Sequence, residues 1–137
     1  ISSLNEYFED LCQDFPDTIF IPLVEDKQFS TDAHWLAICV KNILSNAHGH
    51  GKKPVKLSLH FQAEPTTCLE IRIQDEGTSE YSTLKEMCQE FVKGKQSHGT
   101  GLGLNIVIKV LKAIGGELSF SAHPTIFKMR IKEGSYE

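Results

Sequence analysis

Residues 98–111 read HGTGLGLNIVIKVL: three glycines at every second position, then Leu104, Val107, Ile108 and Leu111 at helical spacing. Apolar residues three and four apart share one helix face. The stretch therefore predicts a glycine-rich turn that opens a helix over about 101–114, ended by Gly115-Gly116. Glycines let a backbone come close to a ligand, and a helix N-terminus offers unpaired N–H groups and a positive dipole end. Both suit a phosphate group. Two familiar phosphate loops fail on spacing. Gly94 to Gly99 has the interval of a Walker loop, but Thr100 stands where that motif needs lysine. The dinucleotide fingerprint GxGxxG is broken by the strict period of two in Gly99, Gly101 and Gly103. The glycine loop of protein kinases lies over its phosphates without opening a helix, as this one does. Taken alone, the stretch can also be read as a plain connector.

Working outward, the rest of the chain supplies a sheet for this helix to cover. Val55, Leu57, Leu59 and Phe61 alternate with polar residues, as do Leu69, Ile71 and Ile73, and as do Phe127, Met129 and Ile131. Period two with polar partners marks strands with one buried face. Residues 117–122 form a further strand beside 125–132, and Thr18–Leu23 reads as another, with Pro22 favouring an edge or an end. Leu4, Tyr7, Phe8 and Leu11 predict a short helix within 3–14. Ser30, Thr31 and Asp32 offer N-caps to a helix over 33–48 with Leu36, Val40, Ile43 and Ala47 as its apolar stripe and Gly49 and Gly51 as its stop. The polar stretch 75–98 interrupts the core elements, with a short helical segment around 83–91. Short connections favour antiparallel neighbours. The expected architecture is an α/β two-layer sandwich: a mixed, mostly antiparallel sheet covered on one face by helices.

Composition narrows the function classes. At 137 residues with a formal charge of −4, the chain is about one domain and lacks the global basic field of a nucleic-acid binder. No apolar run approaches the roughly 20 residues of a membrane span. Cys12, Cys39, Cys68 and Cys88 lie far apart, without a CxxC pair, and are expected to be reduced and half-buried rather than zinc ligands. The chain opens on Ile1 rather than Met and is expected to be a piece of something longer.

Two further clusters carry chemistry. Asn42 and Asn46 are one turn apart on the 33–48 helix and share a face near the edge of its apolar stripe. A carboxamide oxygen is a hard, neutral ligand for Mg²⁺, and its NH₂ can donate to phosphate. Asp75 follows a buried strand. An ionised carboxylate only accepts hydrogen bonds, which suits an exocyclic amine such as that of adenine, and Gly77 leaves room for a flat ring. Each cluster alone also reads as ordinary surface or turn chemistry.

In order and spacing, these residues resemble the ATP-binding catalytic domain of bacterial sensor histidine kinases, within the ATPase group shared with gyrase, a class of heat-shock chaperones and the MutL repair proteins. The resemblance covers about residues 18–132. KNILSNA at 41–47 looks like the family's N box, Asp75-Glu76-Gly77 like its G1 box, EFVKGK at 90–95 like the end of its F box, and GTGLGL at 99–104 like its G2 box. It implies the Bergerat fold with a mobile ATP lid over 78–98. It also implies roles. Asn46 would bind Mg²⁺, with Asn42 assisting at the metal or phosphates. Asp75 would read the adenine amine, Gly77 would make room for the base, and His50 would lie against it. Phe91 would anchor the lid, with Lys93 and Lys95 as charge partners. The backbone of Gly99, Thr100, Gly101, Leu102, Gly103 and Leu104 would hold the phosphates, and Thr125 would support the adenine end. The chain departs from the family pattern at Gly49, Ser79, Cys88 and Pro124, where a basic residue, glycine, phenylalanine and glycine are usual.

The hydrolysing branches of the group place a glutamate four residues before the metal-binding asparagine; here that position is Asn42, which is no base for water. The resemblance therefore implies a protein-histidine kinase domain that binds ATP and Mg²⁺ and presents the γ-phosphate to a histidine on a dimerisation domain outside this chain. Residues 1–17 would be the tail of that upstream connection and 18–137 the catalytic domain. The implied partners are that histidine phosphotransfer domain and a response regulator, with no nucleic acid and no membrane contact by this domain. The implied location is cytoplasmic, whatever the anchoring of the parent. An anti-sigma-type serine kinase and a degenerate nucleotide-binding docking module share enough of these motifs to stand as alternatives.

Overall fold

The computed structural model describes residues 1–77, 100–122 and 124–134. The order of elements is α1 (Leu4–Cys12), β1 (Thr18–Ile21), α2 (Ala33–His50), β2 (Val55–Gln62), β3 (Cys68–Gln74), α3 (Thr100–Ala113), β4 (Gly116–Ala122) and β5 (Thr125–Lys132). The short helical segment expected around 83–91 and the lid over 78–98 lie outside the described residues.

The strands form one sheet in the order β1-β2-β3-β5-β4. Pairs β2–β3 and β4–β5 are antiparallel, as their short connections favour, and β3–β5 is antiparallel too. The β1–β2 pair is parallel. A parallel pair needs a crossover, and α2 supplies it. Pro22 lies just beyond β1, an edge strand, where a missing N–H costs no ladder bond. Register lines the apolar positions into rows: Leu57, Ile73 and Phe127 in one, Leu59, Ile71 and Met129 in the next. These rows are buried, and Leu36, Val40, Ile43, Leu44 and Ala47 of α2 and Leu104, Val107 and Leu111 of α3 belong to the same core. The sheet thus has one dry face, and the expected two-layer sandwich is the observed one.

Helix α1 is part of this core, through Leu4, Phe8, Leu11 and Cys12. Its start is tied down by the Leu4 N–H, which donates to Lys27 O at 2.9 Å, and by Asn5 Nδ2, which donates to Leu23 O at 2.9 Å. Cys12, Cys39 and Cys68 are free and buried, and burial pushes the Cys12 and Cys39 thiols up to about 11. Among the described residues no helix is long and apolar enough to cross a membrane.

Of the three residues offered as caps for α2, Asp32 does the work: its carboxylate accepts from the Trp35 N–H at 3.0 Å. Replacing it with alanine is expected to cost about 1 kcal/mol, read as a lower denaturant midpoint with an unchanged slope. The other end of α2 differs from expectation. Gly49 does not stop the helix, which runs through it to His50. A glycine is only weakly unfavourable inside a helix and ends one mainly by taking positive φ, and among the described residues only Gly115 does so. Gly51 is the C-cap, extended at φ −90, with its N–H on Ala47 O at 2.8 Å.

Near that end His48 Nε2 meets Thr18 Oγ1 at 2.7 Å and the ring stacks on Phe15. Partial burial pushes the imidazole below its ordinary value; Asp17 opposes this and Lys53 reinforces it. A base held neutral on folding stabilises the fold above its unfolded pKa and loses that contribution as pH falls through the folded one. Between about pH 7 and about pH 5 the melting temperature of the native chain should therefore fall further than that of His48→Gln.

Candidate functional site

The candidate site is built on α2, the end of β3 and the start of α3. Asn46 and Asp75 are the two buried polar side chains that matter most, at 7% and 3% exposure. Asp75 follows β3 by one residue, where the chain leaves the sheet. Its Oδ1 accepts the Gly77 N–H at 2.6 Å and, more weakly, the Lys52 N–H at 3.4 Å. Its backbone continues the β3–β5 ladder: the Asp75 N–H donates to Thr125 O at 3.1 Å, and the Thr125 N–H to Gly77 O at 3.0 Å. The Thr125 hydroxyl adds a bond to Gly77 O at 3.3 Å. Asp75, Gly77 and Thr125 are therefore one hydrogen-bonded unit. Gly77 is needed for this as well as for any ligand, since a methyl there would stand 2.9 Å from Asp75 Oδ1.

Helices α2 and α3 run antiparallel, with Cys39 against Val107 and Asn42 against Gly103. A methyl on Gly103 would stand 3.2 Å from Asn42 Oδ1, so this glycine lets the first turn of α3 close on α2. Asn42 is exposed, and its Nδ2 donates back to Ile38 O at 2.8 Å. Its Oδ1 faces the start of α3. Asn46, one turn further along, is buried, and among the described residues its Oδ1 has no hydrogen-bond partner. An unpaired buried acceptor costs about 1–3 kcal/mol, which makes it a ready place for a cation or a donor. Among the described residues no group of three or more His, Cys, Asp or Glu could hold a metal. A cation here would have to share its shell with ligand oxygens.

Thr100, Gly101, Leu102 and Gly103 form the first turn of α3, where N–H groups lack intrahelical partners. Leu104 turns into the core at 2% exposure, so its backbone is what it can offer a ligand. Phe91, Lys93, Lys95 and Gly99 lie outside the described residues, as do Ser79, Cys88 and His98. His50 is the last residue of α2, and its side chain is likewise outside the description.

The sequence missed two participants, Gly51 and Lys52. They follow α2 and press on Asp75: a methyl on Gly51 would overlap Asp75 Oδ2 and stand 2.5 Å from its Cγ. The Glu76 N–H donates to Lys52 O at 2.8 Å and ties the two segments together. Only the contact across the fold gives them a role, and nothing local in the sequence signals it.

A mixed sheet of five strands with two crossover helices on one face, a buried Asn on the first of them and a buried Asp against its C-terminal end is the frame of a nucleotide-binding ATPase domain. The family model of histidine kinase-, DNA gyrase B- and HSP90-like ATPases matches residues 31–135, and the chain belongs to that family. Among curated proteins it is similar to the sensor histidine kinase VxrA of Vibrio cholerae, 29% identical over 119 residues, which covers 87% of this chain and 23% of that one. The chain spans about a fifth to a quarter of the length of the curated relatives it matches. Among solved structures it is similar to the mycobacterial sensor histidine kinase MprB, with 26% identity, TM-score 0.64, and coverage of 95% of this chain and 91% of that one. It shares its fold with the Acinetobacter baumannii histidine kinase AdeS at TM-score 0.72 and 16% identity, over 98% of this chain and 66% of that one.

Proposed function

We propose that this domain binds Mg-ATP and presents the γ-phosphate to a histidine on a dimerisation domain outside this chain, as the catalytic part of a two-component sensor histidine kinase. The observation that carries the reading is the pairing of two buried polar groups along α2. The carboxylate of Asp75 lies against its C-terminal end, and the orphaned oxygen of Asn46 lies about one turn before that end. From Gly51 back to Asn42 the helix spans about 13 Å. A nucleoside triphosphate laid along it has its base at Asp75, Gly77 and Thr125 and its phosphates between Asn46, Asn42 and the first turn of α3.

The residues present fit a magnesium ion. Asn46 Oδ1 would hold it, and the phosphate oxygens would complete its shell. When bound, magnesium supplies charge neutralisation across the phosphates. The chain's own contribution is positioning. Asp75 accepts from the adenine amine. The N–H groups opening α3 and the helix dipole stabilise charge on the phosphates. Asn42, an exposed amide folded back on its own helix, cannot take a proton from water, which favours phosphotransfer over hydrolysis. His50 would lie against the base, Phe91 would anchor a lid, and Lys93 and Lys95 would meet the phosphates.

Residues 18–137 are proposed as the catalytic domain and 1–17 as the segment leading from the upstream helix pair. The response regulator would receive the phosphoryl group in turn. The setting would be cytoplasmic.

A thermal shift tests the nucleotide step: Mg-ATP at about 100 times Kd should add ~2.7 kcal/mol. No shift at millimolar ATP sinks the proposal. Joining the chain to a helix pair that bears an acceptor histidine tests the second step. Acid-labile, base-stable labelling is expected; serine labelling of a separate protein would favour the anti-sigma-type kinase instead.

A further inference from the structure

Asp75 is held from both sides by glycine. Gly77 comes from its own strand end, and Gly51 from the end of α2. Among the described residues, both donors that reach the carboxylate, the N–H groups of Gly77 and Lys52, go to Oδ1. That leaves Oδ2 as the acceptor available to a ligand. It lies against Gly51, where the Cβ of any other residue would overlap it. The contact is no flexible arm against open solvent. Asp75 is 3% exposed, its carboxylate is short, and its backbone is locked to Thr125.

We propose that Gly51 and Lys52 form the base-selecting strap of the nucleotide site. Lys52 fixes the orientation of the Asp75 carboxylate through its backbone N–H, and Gly51, with no Cβ, lets Oδ2 keep its place. Both are positioning residues that act through Asp75. The inference rests on the Mg-ATP reading above and deepens it. A carboxylate whose Oδ1 is committed to two backbone donors presents a pure acceptor. An acceptor pairs with the exocyclic amine of adenine and repels the carbonyl oxygen that hypoxanthine and guanine carry at the same place. A methyl on Gly51 drives the carboxylate to rotate, breaks its bonds to Gly77 and Lys52, and removes the discrimination. The side chain of Lys52 takes no part, since only its backbone N–H is used.

The test compares three probes by calorimetry: Mg-ATP, Mg-ITP and magnesium tripolyphosphate, which has no base. The native chain should prefer ATP over ITP by at least about tenfold, a difference of ~1.4 kcal/mol. In Gly51→Ala that preference should collapse toward one, while tripolyphosphate affinity stays within about twofold of the native value. Lys52→Ala keeps the N–H and should match the native chain. In the Asp75→Ala background, Gly51→Ala should leave ATP affinity unchanged, because the group it acts through is gone. Asp75→Ala removes the two overlaps with the carboxylate, while Ala47 O stays 2.6 Å from the new methyl. If Gly51→Ala does not fold, the glycine serves the backbone at Ala47 rather than the base, and the inference is overturned.

Retained ATP preference in Gly51→Ala overturns the inference. So does an equal loss for ATP and tripolyphosphate, or a Gly51→Ala effect just as large without Asp75. If the native chain binds tripolyphosphate and ATP alike and ignores the base, the strap has nothing to select and the inference fails while phosphate binding stands. If it binds none of the three, the Mg-ATP reading itself fails.

Discussion

Asp75→Asn is expected to weaken ATP binding by about 100-fold, or ~2.7 kcal/mol, and to leave the sheet and helices in place. The amide has two orientations, and both are wrong. With its oxygen on the Gly77 N–H, its NH₂ replaces Oδ2 and meets the adenine amine donor to donor. Turned over, it sets the NH₂ against the Gly77 N–H, which now donates at 2.6 Å to a carboxylate oxygen. Either way a buried donor loses its acceptor, at about 1–3 kcal/mol, and the remaining bond loses its charge assistance. Titration calorimetry reads the affinity directly. A value within threefold of the native chain would remove Asp75 from the site.

The second large effect has opposite signs in the free and bound proteins. Asn46→Leu should bind Mg-ATP about 50-fold more weakly, and its residual ATP affinity should no longer depend on magnesium. Without nucleotide it should be as stable as the native chain or more so. Asn46 Oδ1 is buried and, among the described residues, unpaired. Replacing it with an apolar group of similar shape removes a desolvation penalty of about 1–3 kcal/mol, whereas most buried substitutions are destabilising. Paired melting curves and calorimetry with and without magnesium check both halves. A large loss of stability in the free variant would mean that the oxygen already has a structural partner. Unchanged magnesium dependence would place the ion elsewhere.

What was legible in the sequence follows the range of the forces involved. The rows Leu57-Ile73-Phe127 and Leu59-Ile71-Met129 are periodic in the chain and became rows in the sheet. Asp32 was readable as a cap because capping acts over three residues. The parallel pairing of β1 was not readable from the strand itself; it follows from α2 crossing over between β1 and β2. Gly49 misled because a glycine stops a helix through its φ, which composition does not reveal. At the site, Asn46 and Asp75 stood out by residue type, but their burial did not. Nor did the pressure of Gly51 on Asp75, which joins residues 24 apart in the chain, 75 less 51. Such contacts are made by the fold and leave no local pattern.

The ladder that carries Asp75 past the end of β3 onto Thr125 divides the site into two kinds of material. The base end is an overhang of the sheet, sharing hydrogen bonds with the central β3–β5 pair. The phosphate end rests on the first turn of a helix, where backbone bonds fray first. In hydrogen–deuterium exchange of the nucleotide-free domain, the Asp75 and Thr125 amides should be protected with the slow core of the sheet. The amides of Thr100 to Gly103 should exchange early and slow only when triphosphate binds. The domain would then greet its nucleotide with one hand already closed.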